Sequence, residues 1–246
     1  MKRLLLAPIA LLVTPALGAL LYDPASGQLP NNYTPNPWSY GQLTPTPSSV
    51  VTSPVSASVT GGLLNFDTTA ASVRAGWSST GGTMDRITGY TLSFDLRINS
   101  ETHTGNDRAG FSVIALSSDL QGIELGFWRT EVWAQDVGFT HGEGTTAFNP
   151  AAGVISYDLT IQGSGYTLKA GDTQVLTGSL RNYSASSFPY TTPNFVFFGD
   201  NTFSAAANSD LGAVEFTVVP EPSEWTALAA AGMLGFAALR RWQRSR

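Results

Sequence analysis

The sequence predicts an all-β protein, an antiparallel β-sandwich, flanked by two terminal targeting segments. Apolar residues alternate with polar ones in many short stretches, and glycine, serine and asparagine separate those stretches. The 246 residues include no cysteine, so packing and backbone hydrogen bonds must stabilise the fold without disulfides or thiolate metal sites. We expect one domain of roughly 200 residues between the two ends.

The N-terminus has the three-part order of a secretory signal peptide. Two basic residues near the start precede an apolar run, Leu4 to Val13, and small residues follow it. The run is too short to span a bilayer comfortably. We therefore predict a signal peptide over residues 1–19, with cleavage after Gly18 or Ala19 and export by Sec-type machinery.

Strand periodicity runs through the middle of the chain, which we expect to form the β-sandwich over residues 20–219. In the stretch Tyr90–Ile98 every second side chain is apolar, and Ile155–Ile161 repeats the pattern. The turns Gly163–Gly165 and Ala170–Asp172 then predict a β-meander, because glycine adopts positive φ at little cost. Further strands are predicted at Val51–Val59, Leu63–Phe66, Phe111–Leu116, Ile123–Trp128, Phe195–Phe198 and Val214–Val218.

Residues 31–54 interrupt this pattern. Prolines punctuate a stretch that is rich in Asn, Ser and Thr. We expect a long irregular loop there, covering a sheet edge, since proline cannot donate a hydrogen bond to a strand ladder.

The C-terminal segment 220–246 is predicted to be a sorting or anchor segment rather than part of the fold. Pro220-Glu221-Pro222 precedes a predicted single apolar helix that ends at Leu239. An arginine cluster that begins with Arg240 and Arg241 closes the chain. The apolar run is somewhat short for a membrane span. The positive-inside rule would keep the arginines cytoplasmic and place the domain outside the membrane.

This tail resembles the PEP-CTERM sorting signal of Gram-negative bacteria. The residues that carry the resemblance are Pro220, Glu221 and Pro222, the apolar helix, and the terminal arginines Arg240 and Arg241. The resemblance implies processing by an exosortase and a place at the cell envelope, the outer surface or the exopolysaccharide matrix of a biofilm. An ordinary C-terminal membrane anchor is the alternative, and cleavage and retention of the tail both stay open.

The domain itself resembles the choice-of-anchor domain, Y type, of PEP-CTERM proteins. The resemblance is densest at Asn106–Val113, Gly122–Trp128, Trp133–Gln135, Phe139–Gly144, Tyr157–Ile161 and Asn194–Asp200. That family implies no biochemical activity. More distantly, the strand order is similar to the concanavalin-A-type jelly roll of legume lectins, laminin-G modules and some glucanases, which is an analogy of fold alone.

The charge of the chain excludes nucleic acid as a partner. The formal net charge is −5, and the terminal segments hold about half of the basic residues. The rest of the chain has only Arg74, Arg86, Arg97, Arg108, Arg129, Lys169 and Arg181, against about twice as many carboxylates. A phosphate backbone needs a basic face, and this domain has none.

The sequence offers no complete catalytic set, so we assign no catalytic residues. Hydrolysis of a glycan by a jelly-roll enzyme needs two carboxylates, about 5–5.5 Å apart in a retaining enzyme. Laminarinase-type enzymes place their carboxylates on one strand as Glu-x-Asp-x-(x)-Glu. Glu124 matches the first position, but Gly126 replaces the Asp and Trp128 replaces the second Glu. There are only two histidines and no Gly-x-Ser-x-Gly elbow for a nucleophilic serine.

The aromatic residues around one glycine-rich loop are the candidate ligand contacts. Trp128, Trp133 and His141 would contact a sugar ring, because aromatic faces stack on the apolar faces of carbohydrates. The alternatives are that the tryptophans belong to the core and that His141 forms local hydrogen bonds. We expect no cofactor other than calcium, for which Asp107 and Asp200 are the first candidate ligands among the loop oxygens.

These observations favour a non-enzymatic, exported component of the cell surface or the exopolysaccharide matrix that binds polysaccharide. Two alternatives stay open, namely a glycan-active enzyme of the glycoside-hydrolase type and a purely structural adhesin.

Overall fold

The structure, a computed structural model, describes residues 18–36, 38–45, 55–70, 73–145, 148–219, 240 and 243. Within these ranges the chain forms sixteen strands and two short 3-10 helices, Pro24–Ser26 and Pro30–Asn32. The strands are β1 (Ala19–Tyr22), β2 (Ser39–Leu43), β3 (Ser56–Thr60), β4 (Leu63–Asp67), β5 (Arg74–Ser79), β6 (Tyr90–His103), β7 (Ser112–Leu116), β8 (Gln121–Phe127), β9 (Val132–Gln135), β10 (His141–Thr145), β11 (Ile155–Gln162), β12 (Gly165–Ala170), β13 (Thr173–Ser179), β14 (Arg181–Asn182), β15 (Phe195–Asp200) and β16 (Ala205–Val218).

The strands form two antiparallel sheets of eight strands each. Sheet A has the order β13-β12-β11-β6-β16-β4-β3, with β1 paired to β16. Sheet B has the order β10-β9-β8-β7-β15-β5-β2, with β14 paired to β8. Neighbours in each sheet are mostly distant in sequence, as in the long-range pairing of β6 with β16 and of β7 with β15.

The two sheets pack face to face around one apolar core, which confirms the predicted β-sandwich. Burial alternates along β6 from Tyr90 to Ile98, as its sequence pattern predicts. The ring of Phe94 in sheet A lies 6.1 Å from that of Phe127 and 5.3 Å from that of Phe198, both in sheet B. Burial of such aromatic side chains is the main source of stability for a fold of this kind.

The meander is also confirmed. Strands β11, β12 and β13 are consecutive antiparallel neighbours. The turns between them place Gly163 at φ +61° and Gly171 at φ +55°, where a side chain would be strained.

The Pro-rich segment differs from the irregular loop predicted for residues 31–54. Ser39–Leu43 form β2, which pairs with β5 at the edge of sheet B. The reason is that the prolines flank these five residues without interrupting them, so their amides are free to pair. Pro37 and residues 46–54 lie outside the described residues.

The terminal predictions fall almost wholly outside the described residues. These include most of the signal peptide, Pro220, Glu221, Pro222, the apolar run to Leu239 and Arg241. Arg240 is described and exposed. None of the helical segments that the structure describes is long and apolar enough to cross a membrane. The described β-strands belong to one compact unit, Gly18–Val218.

Candidate functional site

The outer face of sheet B carries two rows of residues that cross the sheet from strand to strand. The first row is Glu124, Ile114, Phe197, Ser78 and Ser39. The second row is Trp133, Gly126, Ser112, Gly199, Gly76 and Gly41. In the second row one large side chain, Trp133, stands on β9 and covers Gly126 of β8, whereas glycine occupies β15, β5 and β2 at the other end. The face is therefore built differently at its two ends.

One half of this face, over β7 and β8, is covered by the segment 181–194. Tyr183 and Tyr190 from that segment pack with Ile114, Leu116 and Phe195 in an apolar cluster separate from the main core. We call this region the covered half. It is a second small core outside the sandwich.

A buried polar network anchors the covered half. Glu124 is fully buried, and its carboxyl group accepts hydrogen bonds from Arg108 at 3.1 Å and from the hydroxyl of Tyr190. Burial and the neighbouring Glu124 raise the pKa of Tyr190, so its hydroxyl remains a donor. The hydroxyl of Tyr183 accepts from the Glu124 amide at 3.3 Å and donates to the Gln135 carbonyl at 2.5 Å. The carboxyl group is thus held in place and shielded from solvent.

The other half of the face, over β15, β5 and β2, is an open groove with a volume of about 270 Å³. Its floor is formed by backbone and small side chains, including Gly41, Gly76 and Ser78. Phe188 and Pro189 of the segment 181–194 line it on one side. We call this region the groove.

The floor of the groove carries an aromatic surface. A Cβ atom at Gly76 would lie 2.6 Å from the ring of Phe197, and one at Gly199 would lie 3.1 Å from it. The Phe197 ring therefore lies across the two glycines, in space that side chains would otherwise fill. Phe195 stacks beside it, with ring centroids 6.5 Å apart, and the ring of Phe188 stands edge-on to Phe195 at 6.1 Å. Phe188 is 69% exposed.

Polar groups border this aromatic surface. Arg74, Gln42, Asp200 and Asn201 also line the groove. Burial raises the pKa of Asp200 to about 8, and hydrogen bonds from Thr202 and Thr68 together with nearby arginines offset only part of that rise. Its carboxyl group is therefore mostly neutral at pH 7.

The predicted ligand contacts Trp128, Trp133 and His141 do come together, but as a packed cluster. Trp133 is fully buried, and Trp128 is 8% exposed. His141 stacks on Trp133 at 4.4 Å, and His103 stacks on Trp128 at 4.5 Å. His141 also donates from Nδ1 to the Gly142 carbonyl at 2.8 Å. The rings are covered by their neighbours, which is the core alternative weighed above, and their role in ligand binding stays a prediction.

Asp107 and Asp200 occupy different surroundings. Asp107 is exposed and accepts a hydrogen bond from the His141 amide at 3.0 Å. Asp200 is buried, and it accepts from the Thr68 hydroxyl at 2.8 Å and the Thr202 amide at 3.0 Å. In the part of the chain that the structure describes, no group of three or more His, Asp or Glu is placed to hold a metal ion. The calcium hypothesis gains no support from this geometry.

Of the residues that line the groove, sequence reasoning named only Asp200 as a site residue, and it named Asp200 as a calcium ligand. One signal was present, because Phe195-Val196-Phe197-Phe198 is apolar on both faces of its strand, whereas a strand with one face in water should alternate. The glycines carry no such signal, since their alignment across the sheet depends on strand register.

Comparison with known proteins shows the fold and leaves the family open. No protein-family model and no curated protein matches the chain. Among solved structures, a conserved carbohydrate esterase from the Shiga toxin-encoding bacteriophage phi24B has a TM-score of 0.51 and 12% identity, over 82% of this chain and 99% of that one. A Bacillus subtilis protein of unknown function with a galectin-like fold has a TM-score of 0.50 and 9% identity, over 83% and 98%.

A third similar structure is domain 4 of AbnA, a GH43 extracellular arabinanase from Geobacillus stearothermophilus, in complex with arabinotriose. It has a TM-score of 0.50 and 12% identity, over 86% of this chain and 98% of that one. At such identities the likeness concerns the fold alone. The chain folds as a jelly-roll β-sandwich of the concanavalin-A or galectin-like type.

Proposed function

We propose that this chain is a non-enzymatic, polysaccharide-binding component of the bacterial cell surface or exopolysaccharide matrix, and that the groove is its binding site. The observation that carries the proposal is the exposed ring of Phe188 at the side of a groove whose floor is the ring of Phe197. Small-molecule and polymer sites combine apolar surface with a few polar groups in this way.

The groove suits a chain of sugars. Gly41 adds no side chain to the floor, so a polymer can lie close to strand β2, and the ring of Phe197 forms the floor over Gly76. A pyranose ring offers an apolar face to aromatic rings and hydroxyl groups to polar ones. Gln42 and Asn201 provide amide groups that can donate to and accept from those hydroxyls. Domain 4 of AbnA, which is similar in fold, was solved in complex with arabinotriose.

A glycan-active enzyme is the less favoured alternative. A raised pKa such as that of Asp200 is what a general acid needs, but glycoside hydrolysis also needs a second carboxylate. Among the described residues that line the groove, Asp200 is the single carboxyl group. Glu124 is fully buried and already bound by Arg108 and Tyr190.

The place of this function in the cell rests on the two ends of the chain. The N-terminal segment supports export, and the PEP-CTERM-type tail supports sorting by an exosortase, with membrane contact through the apolar run. A groove that binds polysaccharide would then hold the protein in, or attach the cell to, the matrix that surrounds the cell.

The test is the affinity of the full-length chain for soluble polysaccharides, measured by calorimetry with arabinan, xylan, β-1,3-glucan, alginate and polygalacturonate. Phe188→Ala should weaken binding at least about tenfold, since truncation of a central aromatic contact commonly costs that much. Ile87→Ala is the matched control, because Ile87 is also 69% exposed and does not line the groove. Equal affinity of wild type and Phe188→Ala would overturn the assignment of the groove, and hydrolysis of any polymer would favour the enzyme.

A further inference from the structure

One arginine at the groove lacks a carboxylate partner. In the described unit Gly18–Val218, the other arginines near carboxylates are paired: Arg86 with Asp119, Arg97 with Asp210, Arg108 with Glu124, and Arg181 with Asp136 and Glu143. Arg74 has no ion pair among these residues, and its guanidinium lies 4.5 Å from the ring centre of Phe203. Arg74 also lines the groove and is exposed. It therefore offers an uncompensated positive charge to whatever occupies the groove.

A second depression adjoins the groove at Arg74. Its volume is about 120 Å³, and it shares Arg74, Phe188, Pro189 and Asn201 with the groove. Arg108, whose charge is paired with Glu124, also lines it. The two depressions therefore adjoin at Phe188 and Pro189, and Arg74 lines both of them.

Asp200 is the one carboxyl group that lines the groove among the described residues, and it does not cancel this charge. Asp200 lines the groove together with Arg74, but burial raises its pKa to about 8. It stays mostly neutral at pH 7, with its oxygens bonded to Thr68 and Thr202. The charge of Arg74 is therefore available to a ligand at neutral pH.

We infer that the groove takes an acidic polysaccharide, with a carboxylate of the polymer paired to Arg74 and a sugar ring against Phe188 and Phe197. This inference rests on the proposed function. The domain as a whole is acidic, so most of its surface repels a polyanion. An exposed arginine without an ion pair, such as Arg74, is where a polyanion can bind. A planar guanidinium suits a carboxylate, to which it donates two parallel hydrogen bonds.

The test compares polymers that differ only in charge. The full-length chain is titrated with polygalacturonate and with alginate, and with the carboxyl-reduced neutral form of each. Wild type should bind at least one polyuronate about tenfold or more tightly than its neutral form, because a hydrogen bond to a charged group raises affinity by about that factor. The difference should shrink in 0.5 M NaCl, since salt screens an exposed ion pair.

Three variants separate this inference from the proposed function. Arg74→Gln should lose the preference for the polyuronate and keep the affinity for the neutral form, and Arg74→Lys should keep most of the preference. Phe188→Ala should weaken both forms. Arg129→Gln is the matched control, because Arg129 is exposed, has no ion pair among the described residues and does not line the groove.

The outcomes are distinct. Equal binding of charged and neutral polymers that still depends on Phe188 would overturn the inference and leave the polysaccharide site. A preference for the polyuronate that Arg74→Gln does not change, or that Arg129→Gln removes equally, would also overturn the inference. Binding of either form that does not depend on Phe188 would overturn the assignment of the groove as the binding site.

Discussion

The covered half and the groove are two ends of the same face of sheet B, and they are built by opposite means. In the covered half the strands present Ile114, Leu116 and Glu124, and the segment 181–194 closes over them with two tyrosines. In the groove the strands present Gly41 and Gly76, and the same segment forms only a side wall with Phe188 and Pro189. One segment therefore seals one half of the face and borders the other.

This difference separates residues that stabilise from residues that are free to bind. A buried side-chain layer with satisfied polar groups adds stability and leaves no room for a ligand. In the groove Gly41 adds no side chain, and the exposed Phe188 and Arg74 are not part of the core. Substitutions in the covered half should therefore change unfolding, and substitutions of exposed groove residues such as Phe188 and Arg74 should change binding.

The largest effect is expected in the covered half. Glu124→Ala leaves the guanidinium of Arg108 beside a cavity without its carboxylate, and removal of one partner of a buried pair typically costs about 3–5 kcal/mol. Urea unfolding followed by circular dichroism measures this loss. Glu215→Ala, at an exposed position of β16, is the control and should change stability by less than about 0.5 kcal/mol. Equal stability of the two variants would show that the network does not anchor the segment.

The next effect concerns Asp200, at the boundary between the core and the groove. Its pKa is raised from 3.8 to about 8, so the folded state binds a proton that the unfolded state releases between these values. Stability should therefore fall as the pH rises from 5 to 8, by about 3–4 kcal/mol. Asp200→Asn keeps the shape without the titration, and its unfolding should lack this part of the pH dependence. Unfolding of both proteins at pH 5, 6, 7 and 8 measures the difference, and parallel curves would contradict the prediction.

The sandwich was predictable from sequence because half-buried strands alternate, as Tyr90–Ile98 does in β6. Strand β5 was not predicted, since its outward residues Gly76 and Ser78 are small and give no clear alternation. The candidate binding site was harder to predict from sequence than the fold. Trp128 and Trp133 drew attention by residue type alone, yet packing covers their rings. The groove depends on the register that aligns Gly41, Gly76 and Gly199, and a single sequence does not contain that register.

The smallest effect on stability, and the sharpest comparison, comes from two glycines that are cross-strand neighbours in the groove. A Cβ at Gly76 would lie 2.5 Å from the Phe198 carbonyl oxygen, so Gly76→Ala should destabilise the fold by about 1–3 kcal/mol. A Cβ at Gly41 meets nothing within 4 Å, so Gly41→Leu should leave the free energy of unfolding almost unchanged. Because Gly41 lines the groove, the leucine side chain should still obstruct it and weaken polysaccharide binding about tenfold. Calorimetry and urea unfolding on both variants check the pair, and full affinity in Gly41→Leu would mean that the ligand does not lie over β2.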